Sequence, residues 1–345
     1  MSEPALALLI FFAGVLAAAL VLWPRRGILP RVLALFHMSE RVRIEDALKH
    51  LHNAEYGGRP LTADALAGVL EVTRARAVRL VSLLEEKGLA RFEESGVTLS
   101  DEGRAYALRV LRTHRLWERY LADRTGVPPA DWHPDAEFRE HTLSAAEAEA
   151  LSARLGHPRY DPHGDPIPTA RGEMPPMAGV PLAALAPGDV AEIAHVEDEP
   201  AEVYDRLLEA GLHPQVRIRM LEAEGGRIRF QAAGREHALE PVVAAGVTVE
   251  PLEASAAPDP SVTTLATIRQ GESARVVGLS RACRGPQRRR LLDLGVVPGT
   301  RISARLTAAG GDPVAYEIRG ALIALRREQA EWIRVRRENG AEEAA

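Results

Sequence analysis

The chain has 345 residues, which is too long for one ordinary domain and allows two to four. With 46% hydrophobic and 26% charged residues, its composition is that of a globular protein and excludes a largely disordered one. The net charge of −5 gives no global sign of a nucleic-acid binder, so any such surface must be a local patch, and the single cysteine, Cys283, excludes an intrachain disulfide framework.

The first element is an apolar stretch at residues 4–24 that contains no charged residue. About 20 apolar residues can cross the hydrocarbon core of a bilayer as a helix. No Lys or Arg precedes the stretch, which argues against a signal peptide, and Arg25, Arg26 and Arg31 follow it, which places the rest of the chain in the cytoplasm. The sequence therefore predicts one uncleaved transmembrane helix and a single-pass location in the cell inner membrane.

Residues 38–104 predict a winged helix-turn-helix DNA-binding domain. A first helix is followed by two more, which Thr62 and Thr73 cap, and by two short strands about Ser95 and Gly96. Helix, turn, helix and β-hairpin is the order of that motif.

The third of these helices occupies the position of a recognition helix. Three arginines lie near its start, directly after Thr73: Arg74, Arg76 and Arg79. Three apolar residues are predicted to face the core: Val78, Val81 and Leu84. Arginines at this position can bind DNA phosphates or the O6 and N7 atoms of guanine. The alternative is a solvated basic face.

Residues 105–172 predict two helices that a GVPP break at 126–129 separates. On the first helix His114 and Glu118 stand at i and i+4, so they share a face. The second helix or its lead-in carries four more polar residues at helical spacing: His133, Glu137, Glu140 and His141. Carboxylates and imidazoles without a thiolate suit Mn(II) or Fe(II), with zinc, cobalt and nickel as competitors. The alternative is an amphipathic hairpin with solvated acids.

Five stretches in a fixed order carry a family resemblance: IEDALKHL, the winged helix, LSDEGRAYALRVLRTHRLWERYL, HPDAEFREHTLS and LGHPRYDPHGDPIP. Over residues 40–175 the chain resembles the metal-dependent repressors that include the diphtheria toxin repressor, the iron-dependent regulator and the manganese transport regulator. The resemblance implies an N-terminal unit that binds operator DNA, a middle unit that forms a homodimer and binds metal, and Mn(II) or Fe(II) as co-repressor.

The resemblance also implies which residues hold the metal. The family's primary site falls on four positions: Asp46, Glu137, Glu140 and His141. Iron-type members carry Met and Cys where Asp46 and Glu137 stand, whereas manganese-type members carry Asp and Glu. Hard oxygen donors shift the preference toward Mn(II) without excluding Fe(II). A glutamate that some manganese regulators use falls on Lys49, which argues against a binuclear manganese site of that design.

The family's ancillary site falls on five positions: His114, Glu118, His133, Glu192 and His195. The last two lie in the EIAH segment of the following domain, where His195 replaces the usual Gln. The loop after this segment is about three residues longer than in the relatives.

The C-terminal half contains an internal repeat. RLLEAGLHPQVRI at 206–218 recurs as RLLDLGVVPGTRI at 290–302. Both copies resemble the FeoA domain, a small SH3-like β-barrel, and we place the two domains at 180–253 and 262–338. Such barrels usually bind partners or metals, and FeoA domains otherwise accompany the ferrous iron transporter FeoB.

The predicted fold class is therefore a mainly α N-terminal half, made of a winged helix-turn-helix and a helical dimerisation domain, followed by two SH3-like β-barrels. The predicted function is a membrane-tethered, Mn(II)- or Fe(II)-dependent DNA-binding transcriptional regulator of metal-ion homeostasis. The alternative is a membrane-bound metal sensor that regulates a ferrous iron or manganese transporter through its FeoA domains. We do not expect an enzyme, because the sequence has no Gly-rich phosphate loop and no plausible nucleophile–base pair.

Overall fold

The computed structural model describes most of the chain from residue 40 to residue 338. Within that range the residues left undescribed are 59, 94–95, 178, 223–225, 233, 254–258 and 260. The chain divides into two compact units, and the division falls between Val110 and Leu111.

No helix in the described part of the chain is long and apolar enough to cross a bilayer. On this finding we correct two predictions, the transmembrane helix in the fold class and the single-pass location in the inner membrane. The stretch at residues 4–24, which prompted both, lies outside the described residues.

The first unit holds helices and a hairpin in the order of a winged helix-turn-helix. Its elements are α1 (Glu40–Tyr56), α2 (Ala63–Val69), α3 (Arg74–Glu86), β1 (Ala90–Glu93) and β2 (Gly96–Leu99). The Thr62 hydroxyl caps α2 by accepting from the Ala65 N–H at 3.1 Å. Helices and hairpin share one apolar core, whose buried members include Leu48, Leu51, Leu66, Leu84 and Val97.

One face of α3 packs into this core, and it differs by one residue from the predicted face. Its buried residues are Ala77, Leu80, Val81 and Leu84, which stand at i, i+3, i+4 and i+7. The prediction was right for Val81 and Leu84 and wrong for Val78, which is 46% exposed. Val78 lies one residue after Ala77, about 100° around the helix, and so leaves the buried stripe.

The helical part of the second unit surrounds a small apolar core. Its elements are α4 (Asp101–Arg124), within which the division between units falls, a 3-10 turn (Pro129–Asp131), α5 (Trp132–Glu140) and α6 (Ala145–Arg154). The Trp132 indole donates to the Val127 carbonyl at 2.9 Å and so fixes the turn that the GVPP sequence predicts. The core includes Leu116, Ala148, Leu151 and Ile167.

Two six-stranded antiparallel β-sheets follow and repeat one topology; we call them the first and second barrel, after the SH3-like fold that the FeoA resemblance implies. The first contains β3 (Val180–Pro181), β4 (Val190–Val196), α7 (Ala201–Glu209), β5 (Arg217–Glu222), β6 (Ile228–Ala232), β7 (Arg235–Leu239), α8 (Pro241–Ala244) and β8 (Val247–Leu252). The second contains β9 (Val262–Thr264), β10 (Ser273–Leu279), α9 (Gly285–Asp293), β11 (Arg301–Thr307), β12 (Val314–Ile318), β13 (Ala321–Leu325), α10 (Arg327–Glu331) and β14 (Ile333–Arg337).

The strand orders match one for one. They are β3-β8-β4-β5-β6-β7 in the first barrel and β9-β14-β10-β11-β12-β13 in the second, with antiparallel pairing throughout. Each barrel has its own core, and each buries one large aromatic residue on the equivalent strand, Phe230 on β6 and Tyr316 on β12. The repeat in the sequence is therefore a repeat of the whole barrel.

A partly buried histidine links the two barrels. The Nδ1–H of His213 donates to the Pro214 carbonyl at 2.9 Å, so its Nε2 accepts from the Ser280 hydroxyl at 3.1 Å. Burial, aided by the positive charges of Arg284 and Arg334, lowers the pKa of His213 to about 4, although the hydrogen bond to the Pro214 carbonyl acts in the opposite direction. His213 is therefore neutral in the folded protein near pH 7.

This depressed pKa predicts a pH-dependent stability. The unfolded chain binds the proton below a pKa of about 6.5, whereas the folded chain binds it only below about 4, so the free energy of unfolding falls as the pH drops between those values. Between pH 7.5 and 5.5 the loss is about 1 kcal/mol. In thermal unfolding of the metal-free protein, His213→Gln should lose less free energy of unfolding between pH 7.5 and 5.5 than the wild type, by about 1 kcal/mol. The control, His157→Gln, changes an exposed histidine and should keep the wild-type slope; equal slopes in all three proteins would contradict the assignment.

Candidate metal centre

One face of α4 carries a buried histidine and a buried carboxylate. His114 and Glu118 are 4% and 1% exposed, and Nε2 of His114 lies 3.1 Å from Oε1 of Glu118. α5 places His133 beside them, with its Nδ1 3.2 Å from His114 Nε2 and 3.3 Å from the Glu118 oxygen. The i, i+4 spacing on α4 and the position of His133 one residue into α5 thus bring three donors together.

A loop from the DPHGDP segment, residues 161–166, adds a fourth donor. Oδ1 of Asp161 accepts three backbone N–H bonds at 2.8 to 2.9 Å, from His163, Gly164 and Asp165. Arg115 of α4 donates to the Pro166 carbonyl at 2.6 Å and to Asp165 at 3.1 Å. These bonds fix the loop against α4 and present the side chain of His163, which is 2% exposed.

The same loop packs closely against the first barrel. β4 has an irregular register between Ile193 and His195, and Gly164 packs against the backbone at this point. A Cβ on Gly164 would lie 2.1 Å from the Ala194 carbonyl oxygen, and its φ of +101° is rarely adopted by other residues. The His163 carbonyl accepts from the Val196 N–H at 2.9 Å. Only glycine at position 164 permits this close contact between loop and barrel.

The loop that follows β4 completes the cluster with two acids. Asp198 Oδ2 lies 3.0 Å from His133 Nδ1 and 3.4 Å from His163 Nδ1, while Glu199 Oε1 lies 3.2 Å from His133 Nε2. His163 Nδ1 is also 3.8 Å from Glu118 Oε1. We call the set of five residues that α4, α5 and the two loops contribute the junction site: His114, Glu118, His133, His163 and Asp198.

The junction site meets the distance requirement for a metal ion. In the groups His114–Glu118–His133 and Glu118–His163–Asp198, one ligand atom of each residue lies within 4.8 Å of the others. Neither ring nitrogen of His163 has a hydrogen-bond partner in the described part of the chain, although both are buried. Because a buried polar atom without a partner is costly, these nitrogens fit a bound cation.

Buried charges dominate the electrostatics here. Burial alone would raise the pKa of Glu118, but His114 and His163 hold it well below its usual range. Burial alone would lower the pKa of His133, but hydrogen bonds to Asp198, Glu118 and Glu199 raise it. The charges of Glu118 and His133 therefore depend on each other and on their neighbours, and a divalent cation would supply positive charge at the same place.

Aromatic rings enclose the site on one side. The His163 ring lies 5.8 Å from the Trp132 ring and 5.2 Å, edge to face, from the Tyr204 ring of α7. Burial and the nearby carboxylates Asp198 and Glu118 raise the pKa of Tyr204, so its phenol stays protonated. The site therefore has an apolar border on this side.

Two family models match the chain. The model of the iron dependent repressor, metal binding and dimerisation domain matches residues 100–169, and the FeoA domain model matches residues 180–251 and 263–337.

Known relatives agree with these models. The iron-dependent repressor IdeR of Mycobacterium bovis is 31% identical over 206 residues, which cover 54% of this chain and 86% of that protein. The chain belongs to the iron-dependent repressor family. The solved structure of a manganese-dependent transcriptional repressor in complex with manganese is 29% identical, with a TM-score of 0.55, over 60% of this chain and 99% of that one. A probable metal transport system membrane protein of Chlamydia trachomatis is 41% identical over 86 residues, 25% of this chain and 19% of that protein.

Membership in the iron-dependent repressor family makes this protein a metal-dependent transcriptional repressor, of a family that binds DNA and forms dimers. The prediction of Mn(II) or Fe(II) as cofactor is confirmed at the level of the family. Its relatives are repressors, which are not enzymes.

The structure of this repressor groups some of the predicted ancillary residues and not others. His114, Glu118 and His133 lie together. Glu192 is directed to Arg217, at 3.5 Å, and His195 Nε2 lies 3.3 Å from Asp165.

Three residues of this region were not predicted as site residues from the sequence: His163, Asp198 and Glu199. The signal for His163 was its place in the DPHGDP segment, and the signal for the two acids was the longer loop after EIAH.

The predicted primary-site residues lie in both units. In the second unit Glu140 is 3% exposed, and its Oε2 lies 2.5 Å from His114 Nδ1. His141 Nε2 lies 3.6 Å from Glu140 Oε1, and Glu137 Oε1 lies 3.7 Å from His133 Nε2. Asp46 lies on α1 in the first unit. The assignment of these four residues to one site stays a prediction.

The predicted DNA-binding residues are exposed on α3. Thr73 is the N-cap residue, without a side-chain cap bond, and Arg74 pairs with Asp64 at 2.7 Å. Arg76 and Arg79 are exposed in the following turns.

The close contact at Gly164 predicts a specific loss of stability. Gly164→Ala adds a Cβ where the Ala194 carbonyl lies, so overpacking and backbone strain should cost about 3 kcal/mol and lower the melting temperature by about 6 °C or more. Gly156→Ala is the matched control, because Gly156 also has a positive φ of +78° but nothing within 4 Å of an added Cβ. It should cost only about 1 kcal/mol. Equal melting temperatures for the two variants in calorimetry would contradict the close contact.

Proposed function

We propose that this repressor responds to Mn(II) in preference to Fe(II), and that the junction site is one of its metal sites. The observation that carries the proposal is the convergence of buried carboxylates and imidazoles from separate segments on one point, with both ring nitrogens of His163 left without hydrogen bonds. Its donors are oxygen and nitrogen with no thiolate, which suits Mn(II) or Fe(II), and the preference for Mn(II) rests on the oxygen donors Asp46 and Glu137 that the resemblance assigns to the primary site. The similarity to a manganese-dependent repressor supports the same preference.

The ligands proposed for the junction site come from three different segments of the fold. Glu118 belongs to α4, His163 to the DPHGDP loop and Asp198 to the first barrel. A divalent ion would supply positive charge to the carboxylates of Glu118 and Asp198, both of which lie near His163. These residues thereby hold the first barrel against the dimerisation domain.

His114 is the residue through which two metal sites can influence each other. Its Nε2 faces the junction site, and its Nδ1 contacts Glu140, which the family resemblance assigns to the primary site together with Asp46, Glu137 and His141. An imidazole whose two nitrogens face different ligand sets transmits a change of charge from one to the other. We infer that occupancy of the junction site alters the metal affinity of the primary site.

The DNA-binding step is proposed to use α3. Arg76 and Arg79 are exposed on the recognition helix of a winged helix-turn-helix and can bind phosphates or guanine edges. A dimer presents two such helices, whose separation must match about one turn of DNA. Metal binding on the dimerisation side of the chain is linked to operator affinity through that separation.

A second candidate, regulation of a metal transporter through the FeoA domains, rests on the similarity to the Chlamydia trachomatis metal transport protein. Operator binding that depends on Mn(II) favours the repressor, and metal-dependent capture of a transporter without operator binding favours the second candidate.

The ligands of the junction site are tested by comparing two acids in the same barrel. Asp198→Asn and His163→Gln should each raise the Kd for Mn(II) on the order of tenfold, or remove one bound ion, because they take a donor from the site. Glu192→Gln is the matched control, since Glu192 contacts Arg217. Calorimetric titration of the full chain under anaerobic conditions measures both quantities. A loss with Glu192→Gln and none with Asp198→Asn would favour the ligand set expected from the sequence.

The link between metal and DNA is tested by a gel shift. An operator is selected from random duplex DNA with the full chain and Mn(II), and its affinity should rise about 5- to 150-fold on addition of the metal. Glu140→Ala and His141→Ala should abolish that rise in folded protein. Arg76→Ala with Arg79→Ala should weaken operator binding while leaving Mn(II) binding unchanged.

Glu102→Gln, which changes an exposed acid at the start of α4, serves as control and should behave like the wild type. Metal stimulation that survives in both the Glu140 and His141 variants would refute the proposed linkage.

A further inference from the structure

The second barrel is joined to the end of α4. Its helix α9 begins at Gly285, where a Cβ would lie 3.0 Å from the Thr125 carbonyl oxygen, 3.1 Å from that of Asp123 and 3.3 Å from that of Ala122. The φ of Gly285 is +52°, in the left-handed region. The start of α9 is therefore packed against the last carbonyls of α4 as closely as a glycine permits.

Charge complements this packing. The last carbonyls of an α-helix carry a partial negative charge and the first N–H groups a partial positive one, so the end of α4 and the start of α9 attract each other. Arg284 adds a full positive charge at the same place, with its Nη1 3.6 Å from Oδ1 of Asp123. Both side chains are largely buried, at 16% and 27% exposure, so water and salt screen the pair less than a surface pair.

The second barrel also holds the first. Ser280 donates to His213, and Arg235 lies 3.6 Å from Glu331. At Gly234 a Cβ would lie 2.7 Å from the Val262 carbonyl oxygen. A cavity of about 830 Å³ lies between the barrels and reaches Trp132 and His163. The barrels contact each other beside this cavity through the residues named above.

The junction site is divided between the two parts that the second barrel connects. Glu118 lies on α4 five residues before Asp123, and Asp198 lies in the first barrel. A body attached to both parts fixes the distance between these two ligands.

We propose that the second barrel is a brace for the junction site, in which Arg284 and Gly285 are positioning residues that set its metal affinity without touching the ion. The inference rests on the proposed metal binding at the junction site. It gives the second FeoA domain a role in regulation: the contact between α4 and α9 keeps the ligands in place before the ion arrives, so less ordering is needed on binding.

The test uses the full chain, Mn(II) as the probe and calorimetric titration as the readout. Arg284→Gln removes the charge at the end of α4, and Gly285→Val places a branched side chain against its carbonyls. The matched controls are Arg289→Gln, an exposed arginine of α9, and Gly299→Val, at a glycine with a φ of +87° and nothing within 4 Å. Arg284→Lys keeps the charge and is the rescue variant. All variants are repeated in an Asp198→Asn background.

The brace predicts that Arg284→Gln and Gly285→Val raise the Kd of the Asp198-dependent ion on the order of tenfold, the size expected when a residue that supports the metal ligands is lost. The two controls should stay near the wild-type value, Arg284→Lys should recover most of the loss, and neither variant should weaken Mn(II) binding further in the Asp198→Asn background.

The brace would be overturned if Arg284→Gln kept the wild-type Kd for Mn(II) together with a wild-type melting temperature. It would also be overturned if Arg284→Gln raised the Kd for Mn(II) equally in the Asp198→Asn background. If Gly285→Val does not fold, the comparison of Arg284→Gln with Arg284→Lys tests the proposal. If the wild type holds no ion that depends on Asp198, the metal assignment of the junction site fails and the brace fails with it, an outcome separate from loss of the brace alone.

Discussion

A carboxylate that is removed from water must have a positive partner, and this requirement governs the second unit. Glu118 is 1% exposed, and its charge is held by His114 and His163 from either side. His163 reaches Glu118 only because Asp161 and Arg115 fix its loop, and the loop approaches the first barrel only because residue 164 has no side chain. The contact between the dimerisation domain and the first barrel thus follows from the need to pair one buried acid.

Much of the helical half could be predicted from the sequence, because helical periodicity is a local property. The i, i+4 spacing of His114 and Glu118 and the capping residue Thr62 required no knowledge of the tertiary structure. The core face of α3 was predicted with an error at Val78, since a stripe of apolar residues leaves its phase uncertain by one position. The repeat at 206–218 and 290–302 correctly indicated two copies of one barrel.

The acids that the first barrel places beside His133 could not be predicted in the same way. Glu192 and His195 lie on a strand, where spacing can be matched to relatives, whereas Asp198 and Glu199 lie in a loop whose path depends on packing against α5. The irregular register of β4 changes the direction of the side chains beyond Ile193, and no pattern in the sequence marks it. Loops that gain their shape from another domain carry little local signal.

The duplicated barrels differ in the loop that leads into their single long helix. In the first copy this loop reads Glu197, Asp198 and Glu199, and in the second copy the equivalent positions are Arg281, Ala282 and Cys283, followed by Arg284. The acidic loop lies beside imidazoles, and the basic one lies at the carbonyl end of α4. Were the copies to exchange places during folding, guanidinium groups would face histidines and carboxylates would face helix carbonyls. The opposite charges of the two loops therefore favour one position for each barrel. They also oppose a misfolded state in which the two barrels exchange positions.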